Sequence, residues 1–289
     1  MIYAKSYFSG AGGMDLGLSE AGIEITDSYE IDHKAAETLR QNLDHKVHET
    51  DITRITVLDQ GATDIMIGTF PCTRYSTAAD ITGTRTGDDL FLHFFRHVAL
   101  AQPEMYLVEN VPGMRKFRVV MEALTKLPNY YVRVECPINA NYWLPQDRQR
   151  LILIGTKQPF NNLSYPDKPN HDIKLADILE RDPNVTISQS VINRLSGKYR
   201  DKPIITGLDG IAPTAVAHYA KDRSTRLVDD GHSVRPYSVR EYARLQGFPD
   251  WYRFSGSDND AMRQIGNAVA VPMARWVGQQ AIKYFDNKS

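Results

Sequence analysis

The sequence predicts an α/β protein with a mainly parallel sheet, joined to a smaller and more irregular domain. In the first half of the 289 residues, short apolar runs alternate with helical segments. This βαβα order is typical of a parallel sheet with helices on both faces. After residue 156 the chain becomes rich in turn-forming residues, and a helical pattern returns only near the end.

Each element is predicted from its own pattern, in chain order. Strands are predicted at residues 2–8, 23–29, 64–70, 105–108, 130–134 and 151–155. Helices are predicted from the glycines at 10–13 through residue 18, and at 34–43, 90–101, 119–127 and 274–284. Residues 1–178 and 264–289 are expected to form a catalytic domain, and residues 179–263 a small, partly β domain.

Composition and charge exclude several classes of protein. Hydrophobic residues make up 42% and charged residues 24% of the chain, as in ordinary soluble proteins. No apolar run is long enough to cross a bilayer and the first residues lack a signal-peptide layout, so a cytoplasmic location is expected. Two cysteines exclude a disulfide framework, and no Cys/His spacing predicts a metal site.

The net charge of −1 argues against a protein that coats nucleic acid with its whole surface. A local basic surface stays possible, because residues 185–245 hold ten Lys or Arg and six Asp or Glu. A solvated surface of mixed charge explains the same balance equally well. Charge alone therefore leaves the choice of partner open.

A glycine-rich turn, Phe8-Ser9-Gly10-Ala11-Gly12-Gly13, opens a helix directly after a strand. Glycines let a backbone approach a ligand closely. Glu30, at the end of the next predicted strand, stands where an acid reaches a ribose hydroxyl pair. Asp15 occupies the place of the third glycine in the dinucleotide pattern, which favours another adenosyl ligand. A tight turn without a ligand is the alternative.

Cys72 and Glu109 each follow an apolar run that predicts a buried strand. Both are therefore expected at the carboxyl edge of the sheet, where open α/β sheets bind their ligands. Pro71 stiffens the turn before Cys72, and a thiol attacks only as thiolate, which an electropositive neighbour favours. The alternatives are a bland buried cysteine and a glutamate that merely caps the next helix.

Gln146, Arg148 and Arg150 alternate just before a predicted apolar strand. Alternate residues of an extended chain share a face, so the three side chains are expected to point together. Arginines on such a face can clamp a phosphate or hold a carboxylate by paired hydrogen bonds. A solvated edge strand is the alternative for this segment.

With these residues in view, the chain resembles the C5-cytosine-specific DNA methyltransferases. Six segments carry the resemblance, in the family's order: Phe8 to Gly13, Pro71-Cys72, Glu109-Asn110-Val111, Gln146 to Arg150, Arg235-Pro236 with Arg240 to Pro249, and Gln264 to Val269. After Pro71-Cys72 this chain has Thr73-Arg74-Tyr75-Ser76, where the family usually has Gln, a small residue, Phe or Trp, and Ser.

The resemblance implies a Rossmann-like methyltransferase domain that uses S-adenosylmethionine and releases S-adenosylhomocysteine, plus a target-recognition domain. It implies methyl transfer to C5 of a cytosine flipped out of duplex DNA, through a covalent bond from Cys72 to C6. Glu109 would bind the edge of the base, Arg148 would position the ring, and Arg150 completes the catalytic set.

The resemblance also implies two sets of binding residues. The cofactor set is Phe8, Gly10, Ala11, Gly12, Gly13, Glu30, Ile31, Asp51, Ile52, Pro71, Leu90, Asn267 and Val269. DNA contacts are expected from the loop after Cys72 and from runs that mix basic and aromatic residues: Arg74, Ser76, Arg85, Lys198, Tyr199, Arg200, Lys202, Tyr219, Lys221 and Arg223. The expected partner is double-stranded DNA with a short specific site, bound by a monomer, in a restriction-modification setting.

Three other functions stay open from the sequence. A methyltransferase of the same fold that acts on tRNA cytosine would keep these motifs. A catalytically dead binding module is disfavoured because Cys72, Glu109 and Arg148 are all present. A nicotinamide dehydrogenase is disfavoured because the third glycine of its pattern is missing.

Overall fold

The protein is described from a computed structural model, which describes residues 1–56, 61–71, 90–166 and 173–288. Four predicted site residues lie outside the described residues, namely Cys72, Arg74, Ser76 and Arg85. None of the helices in these ranges is long and apolar enough to span a membrane.

Strands or helices occur in each of the four described ranges. The strands are β1 (Tyr3–Tyr7), β2 (Glu24–Glu30), β3 (Lys46–Glu49), β4 (Ile65–Gly68), β5 (Met105–Asn110), β6 (Tyr131–Asn139), β7 (Gln146–Asp147), β8 (Gln149–Thr156), β9 (Ile204–Gly207), β10 (Ala212–Pro213), β11 (Arg226–Asp229) and β12 (Val234–Arg235). The helices are α1 (Gly13–Ala21), α2 (His33–Asn42), α3 (Leu90–Ala101), α4 (Arg118–Thr125), α5 (Gln189–Leu195), α6 (Val239–Leu245), α7 (Asp258–Asn267) and α8 (Val271–Lys288).

The chain divides into two compact units, and unit 1 consists of Met1–Ile138, Gln149–Tyr165 and Ala274–Ser289. It contains a seven-stranded sheet in the order β3-β2-β1-β4-β5-β8-β6. The pairings of β1 with β2 and β4, of β2 with β3, and of β4 with β5 are parallel. The pairing of β5 with β8 is antiparallel. The prediction of an α/β fold with a mainly parallel sheet is confirmed.

The register of the parallel strands brings their ends to one edge of the sheet. Tyr7 lies opposite both Tyr29 and Gly68, and Gly68 lies opposite Val108. The segments that follow these strands therefore start side by side, as expected at the carboxyl edge of an open α/β sheet. The glycine turn and Pro71 lie in these segments, and Glu30 and Glu109 lie at the ends of β2 and β5.

The core of unit 1 explains why the central strands read as continuous apolar runs. β4 and β5 are buried at every residue, as expected for strands covered on both faces. Phe94 of α3 packs so close to Gly68 that a Cβ atom there would lie 2.8 Å from its ring. A larger side chain at position 68 would therefore push the helix off the sheet.

The observed elements differ from the predicted ones at the edges of the sheet. β3 was not predicted, because its sequence Lys-Val-His-Glu is polar and shows no apolar alternation. Short, charged strands of this kind are common at sheet edges, where they discourage pairing with another chain. At the opposite edge, β6 continues to Asn139, five residues beyond its predicted end.

Unit 2 consists of Asn139–Arg148 and Pro166–Met273. It contains a three-stranded sheet in the order β12-β11-β9, a two-stranded pairing of β10 with β7, and helices α5 to α7. The predicted recognition segment, 179–263, lies inside this unit, which also includes 139–148, 166–178 and 264–273. The assignment of catalysis and recognition to the two parts stays a prediction.

Candidate active site

The glycine turn has a backbone shape that its sequence requires. Gly10 and Gly12 have φ angles of 54° and 77°, which favour glycine, and Phe8 has a φ of 62° in the same left-handed region. Two hydrogen bonds hold the turn: Thr69 Oγ1 donates to the Phe8 carbonyl over 2.8 Å, and the Ser9 amide donates to the Tyr29 carbonyl over 3.2 Å. The turn is thus fixed to the ends of β2 and β4.

Glu30 supports the turn from the end of β2. Its Oε2 atom accepts a hydrogen bond from the Gly10 amide and its Oε1 atom from the Asp32 amide, each over 2.7 Å. Burial raises the pKa of Glu30 although these hydrogen bonds oppose the shift. A Cβ atom built on Gly10 would meet nothing within 4 Å. The turn therefore faces open space beside a carboxylate, an arrangement that fits a ligand with hydroxyl groups.

Asp15 is a supporting residue that the sequence interpretation did not assign. Its side chain is fully buried and accepts hydrogen bonds from Ser6 Oγ over 2.5 Å and Ser28 Oγ over 2.6 Å. Burial raises its pKa against the opposing effects of His45 and the serines. Asp15 thereby ties α1 to β1 and β2. The signal in the sequence was its position, where the dinucleotide pattern has a third glycine.

The predicted residues on the adenine side lie on a short helical turn, Ile52–Arg54. Asp51 begins this turn by accepting a hydrogen bond from the Thr53 amide over 2.9 Å, which lowers the pKa of Asp51. Arg96 of α3 holds the turn by donating to the carbonyls of Ile52 and Ile55, over 3.3 and 2.9 Å.

The other predicted cofactor residues are spread over both units. Ile31 and Pro71 are exposed, and Leu90 is the first residue of α3. Asn267 and Val269 belong to unit 2, where Asn267 is the exposed last residue of α7 and Val269 is buried. Their contribution to a cofactor site stays a prediction.

Glu109 forms an ion pair at the end of β5. Arg150 Nε lies 2.8 Å from Glu109 Oε1, and both side chains are nearly buried, with exposed fractions of 11% and 10%. The antiparallel register of β5 and β8 sets Asn110 opposite Leu151, which places Arg150 beside Glu109. The helical turn that follows, Pro112–Lys116, has no side-chain cap, so the carboxylate serves Arg150 and not that turn.

Asn110 connects this strand end to the segment that leads to Cys72. Its Nδ2 atom donates to the Phe70 carbonyl over 3.1 Å, and its Oδ1 atom accepts from the Val111 amide over 2.9 Å. The backbone two residues before Cys72 is therefore fixed to the end of β5. Asn110 was not among the predicted site residues, although the Glu-Asn-Val motif contained it.

The position of Arg148 corrects the expectation that Gln146, Arg148 and Arg150 point together. The chain leaves the strand conformation at Arg148, between β7 and β8, so the alternation does not continue to Arg150. Arg148 is 2% exposed in unit 2 and donates to the carbonyls of Ala215 and Ala268, each over 2.6 Å. The arginine at the Glu109 carboxylate is Arg150.

Comparison with known proteins settles the family of this chain. The family model of the C-5 cytosine-specific DNA methylases matches residues 4–283. The chain belongs to this family. It is a DNA cytosine methyltransferase, and the family implies a methyl donor of the S-adenosylmethionine type.

Two relatives and one solved structure illustrate the similarity. Type II methyltransferase M.NlaX of Neisseria lactamica is 32% identical over 94% of each chain. Type II methyltransferase M.BsuFI of Bacillus subtilis is 33% identical over 93% of this chain and 70% of its own. The structure of the Entamoeba histolytica methyltransferase EhMeth covers 100% of this chain and 99% of its own at a TM-score of 0.80. With 17% identity, that likeness shows the fold alone.

Arg235 and Glu241 come from the fifth of the six family segments of this methyltransferase, and both side chains are buried in unit 2. Arg235 donates to both oxygens of Glu241 over 2.8 Å and to Asp230 Oδ2 over 2.6 Å. Glu241 is fully buried, and it caps α6 together with Ser238. Burial alone would raise the pKa of Asp230, but hydrogen bonds from Ser233, His232 and Arg235 lower it to about 2. These charged residues are paired, so they stabilise the fold of the unit.

The last of the six family segments, Gln264 to Val269, contributes a close backbone contact. A Cβ atom on Gly266 would lie 2.2 Å from the Val216 carbonyl carbon and 2.3 Å from the Ala217 nitrogen. α7 therefore packs directly on the backbone of the 217–220 turn. Gly266 is needed for this packing because any side chain would occupy the space of that backbone.

The predicted DNA contacts divide into surface and core residues. Lys198, Tyr199, Arg200, Lys202 and Lys221 are exposed, whereas Arg223 is partly buried and bonds Asn259 over 2.9 Å.

The prediction of a DNA contact at Tyr219 is wrong. Its side chain is 0% exposed, its ring stacks on Tyr242 with centroids 4.7 Å apart, and its hydroxyl accepts from the Tyr237 amide. The aromatic residue of that mixed run serves the core, because a ring beside charged residues can point inward while they point to solvent.

Proposed function

We propose that this methyltransferase modifies C5 of a cytosine flipped out of duplex DNA, through a covalent bond between Cys72 and C6 of the base. The observation that carries the proposal is the Glu109–Arg150 pair at the carboxyl end of β5. The same strand end fixes the backbone of Phe70, two residues before Cys72. The buried Glu109 carboxylate and the backbone that leads to Cys72 thus lie at the same edge of the sheet, where open α/β sheets bind their ligands.

The cofactor proposed for this site is S-adenosylmethionine. When bound, it supplies an electrophilic methyl group on a positively charged sulfur. The carboxylate of Glu30 has lone pairs beyond those used by Gly10 and Asp32, and these can accept ribose hydroxyls. Open space at Gly10 leaves room for a ligand to approach the backbone. Asp51 would contribute on the adenine side.

The protein side chains divide the chemical work. The Cys72 thiolate forms a bond to C6, and the displaced π electrons make C5 nucleophilic, which splits one difficult step into easier ones. Glu109 hydrogen-bonds the N3/N4 edge and stabilises the charge that develops there. Arg150 holds the Glu109 carboxylate in place. Once C5 carries the methyl group, its proton passes to solvent, the electrons of the C5–H bond re-form the C5–C6 double bond, and Cys72 leaves as the thiolate.

None of this geometry is reachable inside a base-paired duplex. The base must be extruded, at a cost of a few kcal/mol. Unit 2 is proposed to supply the contacts with a short specific DNA site, through the exposed basic segment 198–202. The relatives are named Type II methyltransferases, which supports a restriction-modification role. A monomer that acts on DNA in the cytoplasm is part of the same proposal.

A covalent trap tests the proposal. Fluorine at C5 blocks proton loss, so the wild-type protein with S-adenosylmethionine should form a stable adduct with duplex DNA containing 5-fluorocytosine. Cys72→Ser should form no adduct and transfer no methyl group, because a hydroxyl is a far weaker nucleophile than a thiolate. Denaturing electrophoresis detects the adduct, and calorimetry checks that Cys72→Ser still binds the cofactor.

Two results would contradict the proposal. One is the absence of an adduct although DNA and cofactor are bound. The other is methylation of tRNA but not of duplex DNA by the purified protein, which would favour the tRNA alternative.

A further inference from the structure

A short basic segment, residues 198–202, joins α5 to β9 in unit 2 and contains Lys198, Arg200 and Lys202. All three side chains are exposed, and none takes part in an ion pair among the described residues. Asp201 is the only acidic residue in the segment. Unpaired cations on a surface attract a polyanion such as the phosphate backbone of nucleic acid.

Both ends of this basic segment are anchored. At the start, Gly197 has a φ of 78° and the Lys198 amide donates to the Asn193 carbonyl over 2.9 Å, which closes α5. A Cβ atom on Gly197 would meet nothing within 4 Å, so the backbone shape alone requires glycine there. At the end, Ile204 pairs with Arg226 in the parallel pairing of β9 with β11.

Arg194 anchors the middle of the segment. Its Nη1 atom donates to the Asp201 carbonyl over 2.8 Å, and its guanidinium carbon lies 5.1 Å from the ring centroid of Tyr199. Only 12% of the Arg194 side chain is exposed. One guanidinium therefore holds two residues that alternate with the three cations.

The guanidinium is itself held from the other side. Arg194 Nε donates to Ser224 Oγ over 2.7 Å, and Nη2 donates to Asp222 Oδ2 over 2.8 Å. Asp222 also accepts from the Ser224 amide over 3.0 Å. Burial alone would raise the pKa of Asp222, but the hydrogen bonds from Ser224 and Arg194 keep it below its ordinary value. The anchor is thus a charged, hydrogen-bonded pair on a rigid turn.

We infer that Arg194 is a positioning residue that holds the segment 198–202 in the shape in which Lys198, Arg200 and Lys202 meet DNA phosphates. The inference rests on the proposed function, since it names how the proposed DNA surface is organised. Arg194 is mostly buried and its donors bind protein acceptors, so its effect on DNA is indirect. A surface that is already ordered loses less freedom on binding and binds more tightly.

A positioning role and a contact role predict different salt dependence. The logarithm of the binding constant falls with the logarithm of the salt concentration, with a slope set by the number of phosphates neutralised. Replacing Lys198, Arg200 and Lys202 by glutamine should flatten that slope. Arg194→Lys keeps the charge but cannot make three directed bonds and the ring contact together. It should weaken DNA binding about tenfold, the effect expected for a charge-assisted hydrogen bond, at every salt concentration and with an unchanged slope.

The measurement is a salt titration of DNA affinity by fluorescence anisotropy, with amide hydrogen exchange of residues 198–202 in the absence of DNA. Faster exchange in Arg194→Lys is expected, because the anchor of the segment is removed. Arg275→Lys is the matched control, since it makes the same exchange at an exposed ion pair with Glu20. If Arg194→Lys does not fold, Ser224→Ala removes one bond to the guanidinium and should show the same two signatures more weakly.

Each outcome has one meaning. The inference is overturned if a folded Arg194→Lys protein has the DNA affinity and the hydrogen exchange of the wild type. If Arg194→Lys does not fold, the same result in Ser224→Ala overturns it. A slope that flattens as it does in the triple variant also overturns it, because Arg194 would then be a phosphate contact. If the wild-type protein neither binds nor methylates DNA, the proposed function fails instead.

Discussion

At the scale of single residues, Arg148 and Arg150 belong to one motif but have different surroundings. Arg150 contacts a carboxylate at the proposed site, whereas Arg148 donates to the backbone carbonyls of Ala215, Gly266 and Ala268 in unit 2. A guanidinium on a carboxylate can orient a catalytic group. A guanidinium that joins three carbonyls of one unit mainly stabilises the fold of that unit.

Lysine substitutions separate the two roles. Arg150→Lys should lower kcat on the order of 100-fold, the range seen when one preorganised donor is removed, and leave the unfolding free energy nearly unchanged. Arg148→Lys should lower the unfolding free energy by about 1–3 kcal/mol, because buried carbonyls lose their donors. Methyl-transfer kinetics and urea unfolding measure the two effects. A reversed pattern would return the ring-positioning role to Arg148.

Sequence reasoning found the residues whose place in the chain fixes their place in the fold. Glu30 is the last residue of β2 and Glu109 the last but one of β5, so their place at the edge of the sheet follows directly. It failed for Tyr219 and for the orientation of Arg148, whose surroundings come from distant segments. The Gln146 and Arg148 side chains, for example, bond residues 67 to 120 positions away.

At the scale of elements, the packing of α7 on the 217–220 turn depends on the absence of a side chain at Gly266. Gly266→Ala would place a methyl group about where the Val216–Ala217 peptide lies. Overpacking of this kind typically costs about 1–3 kcal/mol of unfolding free energy.

Gly207→Ala is the matched control, because a Cβ atom at that β9 residue would meet nothing within 4 Å. That change should stay within about 0.5 kcal/mol of wild type, as for most surface substitutions. Denaturant unfolding of both variants provides the measurement. Equal stabilities would show that α7 shifts away from the turn at little cost.

The elements that the sequence predicted best are those with a strong pattern of their own. β4 and β5 are apolar along their length, and α3 shows a helical apolar pattern. The irregular strands of unit 2 are only two to four residues long, and their order depends on contacts with distant segments. A local pattern carries no information on such pairings, so only the presence of a partly β region was predictable.

At the scale of the whole molecule, the chain passes between the two units several times. Residues 139–148 leave unit 1 for unit 2 and the chain returns at Gln149, although this stretch contains no turn-rich linker. Composition revealed the rise in turn-forming residues after residue 156, but it did not reveal that residues 139–148 belong to unit 2. Within unit 2 the Gln146 side chain donates to the Leu245 carbonyl, 99 residues away, and a bond to so distant a segment leaves no mark on the local sequence.

If the units divide the functions as proposed, substitutions in each should affect one ligand and spare the other. Glu30→Ala in unit 1 should weaken S-adenosylmethionine binding by about 1.5–3 kcal/mol, the range for hydrogen bonds to charged groups, with DNA affinity unchanged. Replacing Lys198, Arg200 and Lys202 by glutamine should weaken DNA binding and reduce its salt slope by about one for each phosphate that is no longer neutralised, with cofactor affinity unchanged. Calorimetry for the cofactor and salt-dependent anisotropy for DNA measure both ligands on both variants. Weaker cofactor binding in the triple variant would refute the division, and an unchanged salt slope would remove the segment from the DNA-binding surface.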